Sequence, residues 1–539
     1  MFYKLKKDMR HRVFFAVLIC VFSCINAYGN GAEPKTFSYE ELQTLYNKEV
    51  LSEGLQTKLD YLLHTPFVEN NYNSTESITF KRSPQIGKYL RVAFWNIERG
   101  LEFDAIEALF SDPQKFEAML DAEKFPPNSA ERAEILDEAE NLREADVIVF
   151  NEVDFGVKRT DYRNVAGELA QKLKMNYAFG TQFVELMPVH LTDEKTPEDT
   201  QERELAEFIK VDKTRYKGLH GIAVLSRFPL ENVRLIPYKF QPYDWYLNEK
   251  NGASWLEKGK RNVVKKVFLE NAMREVRRGG RTTLLADIVD ERLPSGRVTI
   301  AATHLENRTI SKNRVKQMEE LLETIKPIAN PVILAGDMNT SGSDLTPTSL
   351  RREMLKRFGN PHYWLKKGIQ YALGFGMVED TVMGGVSFGR TMNDPTVRSI
   401  PYLSPNSSKK FFSLIEKFRF EDGGAFDFRG DKMRSTDEKS KTLANSNQRG
   451  GKGFITTYQV KRPIYVIGKY KLDWIFIKPA NLKDPRDEKE SYQFAPHFGR
   501  TLTQINESID DRISDHRPMI VDLPLNEPNM EMIAGKVAN

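Results

Sequence analysis

Residues 513–523 read ISDHRPMIVDL, an acid and an imidazole, Asp515 and His516, set almost directly before the apolar run Met519 to Leu523. That run reads as a strand covered on both faces, because nearly every position in it is apolar. Charge at the mouth of a buried strand demands partners, since an unpaired buried charge is costly. The partners must come from elsewhere in the chain.

The same arrangement recurs upstream. Near-continuous runs of strand character occur at LRVAFWN (90–96), DVIVFNE (146–152), GIAVLS (221–226), TTLLADI (282–288), RVTIAATH (297–304), PVILAGD (331–337) and LDWIFI (472–477). Asn96 and Glu98 close the first run, Glu152 the second, His304 the RVTIAATH run, and Asp337 with Asn339 the PVILAGD run; Asp473 lies near the start of the last. Helical spacing over Ala130 to Arg143, Val165 to Leu173 and Lys312 to Ile325 separates several of them. Strands alternating with helices predict an α/β layered domain. In such a domain strand ends share one rim, where polar side chains from separate strands can converge.

Sorted by chemistry, the set holds hard oxygen donors (Glu98, Glu152 and Asp515, with Asn96 beside them), two histidines and an Asp-x-Asn pair. Carboxylates without thiols suit Mg²⁺, with Mn²⁺ or Ca²⁺ as alternatives, rather than structural zinc. A carboxylate-held divalent ion beside histidines is equipment for hydrolysing a phosphate ester: the ion neutralises phosphoryl charge while a base orients water. Asp515 and His516 are adjacent, so an extended backbone would send their side chains apart, one to an ion and one to a phosphate. A buried acid such as Asp473 would hold the imidazole and favour its charged form.

Composition frames these expectations. The 539 residues are 40% hydrophobic and 29% charged, which excludes a disordered or collagen-like chain. Residues 1–29 have the layout of a secretory signal peptide: Lys4, Lys6, Lys7, Arg10 and Arg12, an apolar stretch from Val13, then Ala27 and Gly29. The expectation is a secreted or periplasmic protein of a bacterium; a retained membrane anchor and lipidation at Cys24 in VFSC are the alternatives, and either would leave the exported protein membrane-anchored. Both cysteines, Cys20 and Cys24, lie inside this segment, so cleavage leaves no thiol chemistry. The chain has 79 Lys and Arg against 75 Asp and Glu; the leader carries five of the former and one of the latter, leaving 74 of each. That balance is not a nucleic-acid footprint. A polar, loosely packed and partly helical extension is expected over 30–88, a domain over 89–525 with insertions at about 185–218, 240–280 and 380–463, and a tail over 526–539.

In order, WNIE, NE at Glu152, GIAVLSRFPL, THLENR, GDMN, KLDWIF and SDHRP resemble the endonuclease/exonuclease/phosphatase superfamily of DNase I-like, metal-dependent phosphoesterases, over roughly residues 90–524. The resemblance implies a four-layer α/β sandwich: two mixed sheets packed together, helices outside and long loop insertions. It implies metal contacts from Glu152, Asp515, Asn96 and Glu98. It implies catalytic roles for His304 as acid or phosphate contact, for Asp337 in aligning water, for Asn339 in steadying the phosphorus, and for the Asp473–His516 pair. The implied substrate is a phosphodiester, in nucleic acid or phospholipid, with no obligate protein partner. A nuclease or general phosphodiesterase is the first reading. A sphingomyelinase or phosphoinositide-type enzyme is the alternative, although the Asp-Arg extension of inositol polyphosphate 5-phosphatases near KLDWIF is absent. An inactive binding protein of the same fold would have replaced Glu152, Asp337, Asn339 or His516, and all are present.

Other features read as structural. His220 before GIAVLSRFPL is expected to be a packing or surface residue, Ser311 an N-cap, and GRTLTQI (499–505) an edge strand. Sequons at Asn307 and Asn339 sit close to or on the expected site; a glycan at Asn339 would block it, which favours a bacterial origin.

Overall fold

The alternation within residues 90–97 is what builds the layers. Leu90, Val92 and Phe94 turn to one side of their strand and Ala93, Trp95 and Ile97 to the other, and both sets are buried, in two different cores. A computed structural model describes residues 34–72, 78–188, 210–251, 275–340, 409–429, 434, 457–461, 466–510 and 512–529. The leader, most of the third expected insertion, and stretches 189–209 and 252–274 of the other two lie outside the described residues.

In chain order the strands are β1 (Phe67–Glu69), β2 (Lys81–Ser83), β3 (Gly87–Arg99), β4 (Val147–Phe155), β5 (Asn176–Glu185), β6 (Leu219–Ser226), β7 (Leu230–Pro237), β8 (Arg277–Gly279), β9 (Thr282–Val289), β10 (Arg297–His304), β11 (Val332–Asp337), β12 (Tyr458–Lys461), β13 (Val466–Tyr470), β14 (Asp473–Lys478), β15 (His497–Thr501) and β16 (Met519–Pro524). Among the described residues they form a nine-stranded sheet ordered β1-β5-β6-β4-β3-β16-β15, with β2 on β3 and β8 on β5. The others form a five-stranded sheet ordered β14-β11-β10-β9-β7 and the separate pair β12–β13. Both large sheets are mixed: β3–β4 and β10–β11 run parallel, and the remaining pairs run antiparallel. The edge strand expected at 499–505 forms earlier, as β15 at His497–Thr501, and Ile505 already starts a 3-10 turn.

One core lies between the sheets, joining Phe94, Val149 and Ile222 of the first to Leu284, Ala302, Ala335 and Ile475 of the second. A second covers the outer face of the first sheet with helices Tyr39–Asn47, Glu53–His64, Phe103–Ser111, Ala130–Arg143 and Val165–Leu173. A third covers the outer face of the second sheet with helices Ser311–Ile325 and Lys409–Lys417. The order helix, sheet, sheet, helix is the four-layer sandwich that the resemblance implies. No helix among the described residues is long and apolar enough to cross a membrane.

Three expectations change. Residues 34–72 are packed, not loose: Phe37, Leu42, Leu45, Leu59, Leu62 and Phe67 are buried in the helix-side core. Their i, i+3 spacing is easily lost among charged neighbours, and a reciprocal Ser38–Glu41 capping box starts the first helix. Within 380–463, residues 409–429 belong to the outer core through Phe411, Phe412, Ile415, Phe420, Phe426 and Phe428. Their apolar spacing lies in a Lys- and Gly-rich context that reads as solvated. Ser311 is the first residue of its helix rather than its cap; Ile310 holds the cap position and makes no side-chain bond there.

Phe412 packs 4.6 Å from Trp474, centroid to centroid, beneath the second sheet. Phe412→Ala is expected to lower unfolding free energy by about 3–5 kcal/mol, the usual cost of emptying a buried aromatic site. Denaturant titration checks this, and a loss below about 0.5 kcal/mol would place the segment on the surface.

Candidate active site

Side chains alternate along a strand, so the face that carries the inter-sheet core continues to the strand end. There its apolar residues give way to polar ones. Two positions beyond Phe94 comes Asn96; beyond Val149, Asn151; beyond Ala302, His304; beyond Ala335, Asp337. Before Ile222 stands His220, before Leu284 Thr282, and before Ile475 Asp473. These residues form a buried polar rim on one side of the inter-sheet core. Strand register fixes their order: Asn96 opposes Asn151, His304 opposes Asp337, and Asp337 opposes Asp473. Gly336 makes the close packing feasible, because a Cβ there would lie 2.0 Å from the Thr303 carbonyl oxygen.

The structure brings Asn96, Glu152, His304, Asp337, Asp473 and His516 together, while the expected metal carboxylates Glu98, Glu152 and Asp515 do not form a metal-spaced donor group among the described residues. Asn96 Nδ2 donates to Glu152 Oε1 at 3.2 Å and to Asp337 Oδ2 at 3.5 Å. His304 Nε2 lies 3.5 Å, and His516 Nε2 3.8 Å, from the same Asp337 oxygen. The Asp337 backbone N–H donates to Asn151 Oδ1 at 2.8 Å, and Asp337 Oδ1 accepts the Asn339 N–H at 2.8 Å. His516 Nδ1 meets Asp473 Oδ2 at 2.8 Å. Three of these hydrogen bonds, from Asn96 to Asp337, from Asp337 to Asn151 and between His516 and Asp473, tie one sheet to the other.

Backbone distortion delivers the carboxylates. The β3–β4 register shifts between Asn96 and Arg99, and the β4–β6 register between Phe150 and Val153. Bulges of this kind re-aim a side chain at a strand end. Glu98 and Glu152 accordingly have φ of 46° and 52°, and Asn339 has φ of 46°, left-handed conformations that cost L-residues energy. Arg512 pairs with Glu98 at 2.9 Å.

Asp515 departs from expectation. Its Oδ1 lies 4.0 Å from His516 Nε2, so the two side chains meet rather than diverge. The segment is bent, not extended: Ser514 Oγ accepts the His516 N–H at 3.1 Å and donates to the Asn96 carbonyl at 2.7 Å.

The electrostatics follow from this crowding. Burial, reinforced by Asp473 and Glu152, pushes the Asp337 carboxyl up to about 8. Burial and the Asp515 charge push Glu98 up to about 8, while burial and Glu152 raise Asp515. Burial also opposes ionisation of Glu152, yet Arg99, His220, His516 and the Asn96 amide hold it below its usual range. Carboxyls that destabilise one another's charge in a buried rim have the donor chemistry that suits a hard divalent cation. Burial would lower His516, but Asp473 and Asp515 raise it well above its ordinary value. Burial and the charges of Arg281, His220 and His516 drive His304 the other way, so it is neutral.

Sequence reading missed Asn151, Thr282 and His220. Asn151 and Thr282 were recoverable by counting alternate positions. His220 is neither exposed nor a mere packing residue: its Nδ1 lies 2.9 Å from Asp154 Oδ1, forming a second Asp–His pair on the rim. Asp154, Glu185 and His220 offer donors close enough for a metal, as do Asp337, Asp473 and His516. The Arg159 guanidinium, however, binds both carboxylates of the first group at 2.7–2.9 Å. A cation already occupies that place chemically, and the network braces His220.

A model of the Endonuclease/Exonuclease/phosphatase family matches residues 93–516. No curated protein matches the sequence. Among solved structures, the chain is similar to an endonuclease/exonuclease/phosphatase from Beutenbergia cavernae, at 16% identity and TM-score 0.34, covering 81% of this chain and 72% of that one. It is also similar to the human Nocturnin catalytic domain, at 14% identity and TM-score 0.35, covering 84% and 99%. A mannosyl-6-phosphatase from Bacteroides thetaiotaomicron gives 12% identity and TM-score 0.34, covering 80% and 99%.

The His516 imidazolium depends on Asp473. Asp473→Asn is expected to lower the His516 pKa, because burial then acts against only the remaining charges of Asp515 and Asp337. Titration of the ring by NMR checks the direction. In the native protein, a raised folded-state pKa makes the pair's stabilisation complete below the unfolded value near 6.5 and lost as pH rises through the folded value. The variant should show that pH dependence weakened in thermal melts.

Proposed function

The chain belongs to the endonuclease/exonuclease/phosphatase family, whose members are hydrolases of phosphate ester bonds, and on that premise we propose that it cleaves phosphodiesters by attack of an activated water. The observation that carries this reading is the meeting of His304, His516 and Asn96 around one Asp337 oxygen, within 3.5–3.8 Å. These residues come from four separated stretches of sequence, and no packing requirement explains their chemistry.

Glu152 and Asp515, with Asn96 and Glu98 beside them, are the residues that would hold a divalent cation, Mg²⁺ by preference. When bound, such an ion neutralises charge on the phosphoryl oxygens. Asp337 lines up the water and takes its proton; its raised pKa makes it a competent base near neutral pH. His516, kept cationic by Asp473, donates to a phosphoryl oxygen and strengthens that bond as charge develops in the transition state. His304, neutral and with neither ring nitrogen hydrogen-bonded in the protein, is available to hydrogen-bond the phosphate through its one ring N–H. Asn339, whose Nδ2 donates to the Leu305 carbonyl at 2.9 Å, is held against the His304 strand end and steadies the phosphorus. Nucleic acid is our first choice of substrate, and the basic leader and small-residue cleavage site support action outside the cytoplasm.

Glu152→Gln and His516→Ala are expected to reduce Mg²⁺-dependent hydrolysis of bis(4-nitrophenyl) phosphate by at least about 10³-fold. Glu152→Gln should leave stability within about 2 kcal/mol of wild type. His516→Ala, which leaves buried Asp473 unpaired, should keep the fold but lose about 3–5 kcal/mol. EDTA should stop the wild type and Mg²⁺ should restore it. Parallel assays on DNA, RNA and sphingomyelin fix the substrate class, and cleavage of lipid but not polynucleotide would reverse that choice.

A further inference from the structure

One side of the rim carries polar groups that the proposed hydrolysis leaves unused. Arg281 is 2% exposed, Gln182 and Thr282 no more than 1%, and each has a buried polar atom without a hydrogen-bond partner: Arg281 Nη1, both Gln182 amide atoms and Thr282 Oγ1. A buried donor left unpaired costs about 1–3 kcal/mol, and more when it is charged. Three such side chains in one place are a site built for an acceptor.

The backbone sets them in sequence along the two sheets, with Thr282 beside His304 and Gln182 against the turn that precedes Arg281. The Thr283–Thr303 pairing sets Thr282 next to His304, and Tyr238 Oη bridges the Thr283 and Thr303 hydroxyls at 2.8 and 2.5 Å. The Gly280 N–H donates to the Gln182 carbonyl at 2.8 Å. Gly279, at φ 120°, permits this approach: a Cβ there would lie 2.1 Å from the Gln182 oxygen. Arg281 packs over the Phe183 ring at 5.2 Å, and its Nε is taken by Glu306 at 3.3 Å. One edge of the guanidinium is thereby fixed, while Nη1 is left to bind something else. The charge of Arg281 is also the strongest single charge acting on His304.

We propose that Arg281, with Gln182 and Thr282, binds a second anionic group of the substrate, a terminal phosphate, beside the phosphate that is cleaved. A guanidinium edge with amide and hydroxyl donors suits phosphate oxygens, and a position buried between sheets admits the end of a substrate rather than a continuous backbone. This rests on the phosphodiester reading above and narrows it to short or terminally phosphorylated substrates.

The test uses the full chain with Mg²⁺ and three dithymidine substrates: unphosphorylated, 5′-phosphorylated and 3′-phosphorylated. Wild type is expected to favour one phosphorylated form at least tenfold in kcat/KM. Arg281→Met should erase that preference through KM, Arg281→Lys should restore part of it, and Thr282→Val should weaken it. Thermal melts verify that each variant folds. No preference in the wild type, or an Arg281→Met loss carried equally by all three substrates in kcat, overturns the proposal. If the wild type cleaves none of them, the phosphodiester reading has failed separately. Calorimetric binding of thymidine 3′,5′-bisphosphate then decides: at least tenfold weaker binding to Arg281→Met supports the pocket, and equal binding overturns it.

Discussion

Two hydrogen bonds between the sheets govern the rest of this structure: the Asp337 N–H to Asn151, and His516 to Asp473, each 2.8 Å long. The inter-sheet core presses the sheets together without direction, because apolar contact is nonspecific. Polar groups at its rim have no such tolerance. Each must find a partner at hydrogen-bond distance or bear the full desolvation cost. The rim therefore sets how the sheets are aligned, and the alignment sets where an oxygen of Asp337 stands relative to two histidines and an asparagine.

From that alignment the electrostatics follow. His516 faces Asp473, Asp515 and Asp337 and is held cationic; His304 faces Arg281, His220 and His516 and is held neutral. Two imidazoles near one carboxylate oxygen thus differ in charge because of what lies behind each. Such a division is what acid–base work on a phosphate needs, one group supplying charge and the other able to exchange a proton. The second Asp–His pair, Asp154 with His220, is anchored by Arg159 and lies on the far side of the rim. It carries the polar row toward Gln182 and Arg281, which makes the rim a continuous surface rather than a single point.

Much of the architecture could be read from sequence, because strands covered on both faces show as apolar runs. Helices Ala130–Arg143 and Val165–Leu173 match their apolar spacing to the residue. Strand Asn176–Glu185 was not visible: Thr181, Gln182 and Glu185 are buried, and polar residues break the apolar pattern that marks a core strand. Phe411 and Phe412 were hidden by their lysine-rich surroundings. At the site, charged residues at either end of an apolar run were legible, whereas the neutral Asn151 is overshadowed by Glu152 beside it and His220 reads as the end of a loop. The bend at Ser514 was equally invisible, since a serine hydroxyl bonding two residues ahead leaves no periodic trace.

The central claim is that the rim gathers carboxylates to hold a hard cation beside Asp337. Anomalous diffraction from crystals of the protein grown with Mn²⁺ tests it most directly. The account predicts a peak within about 2.3 Å of a Glu152 carboxylate oxygen, with Asp515 on its other side. A peak between Asp154 and Glu185, or none near Glu152, would contradict it.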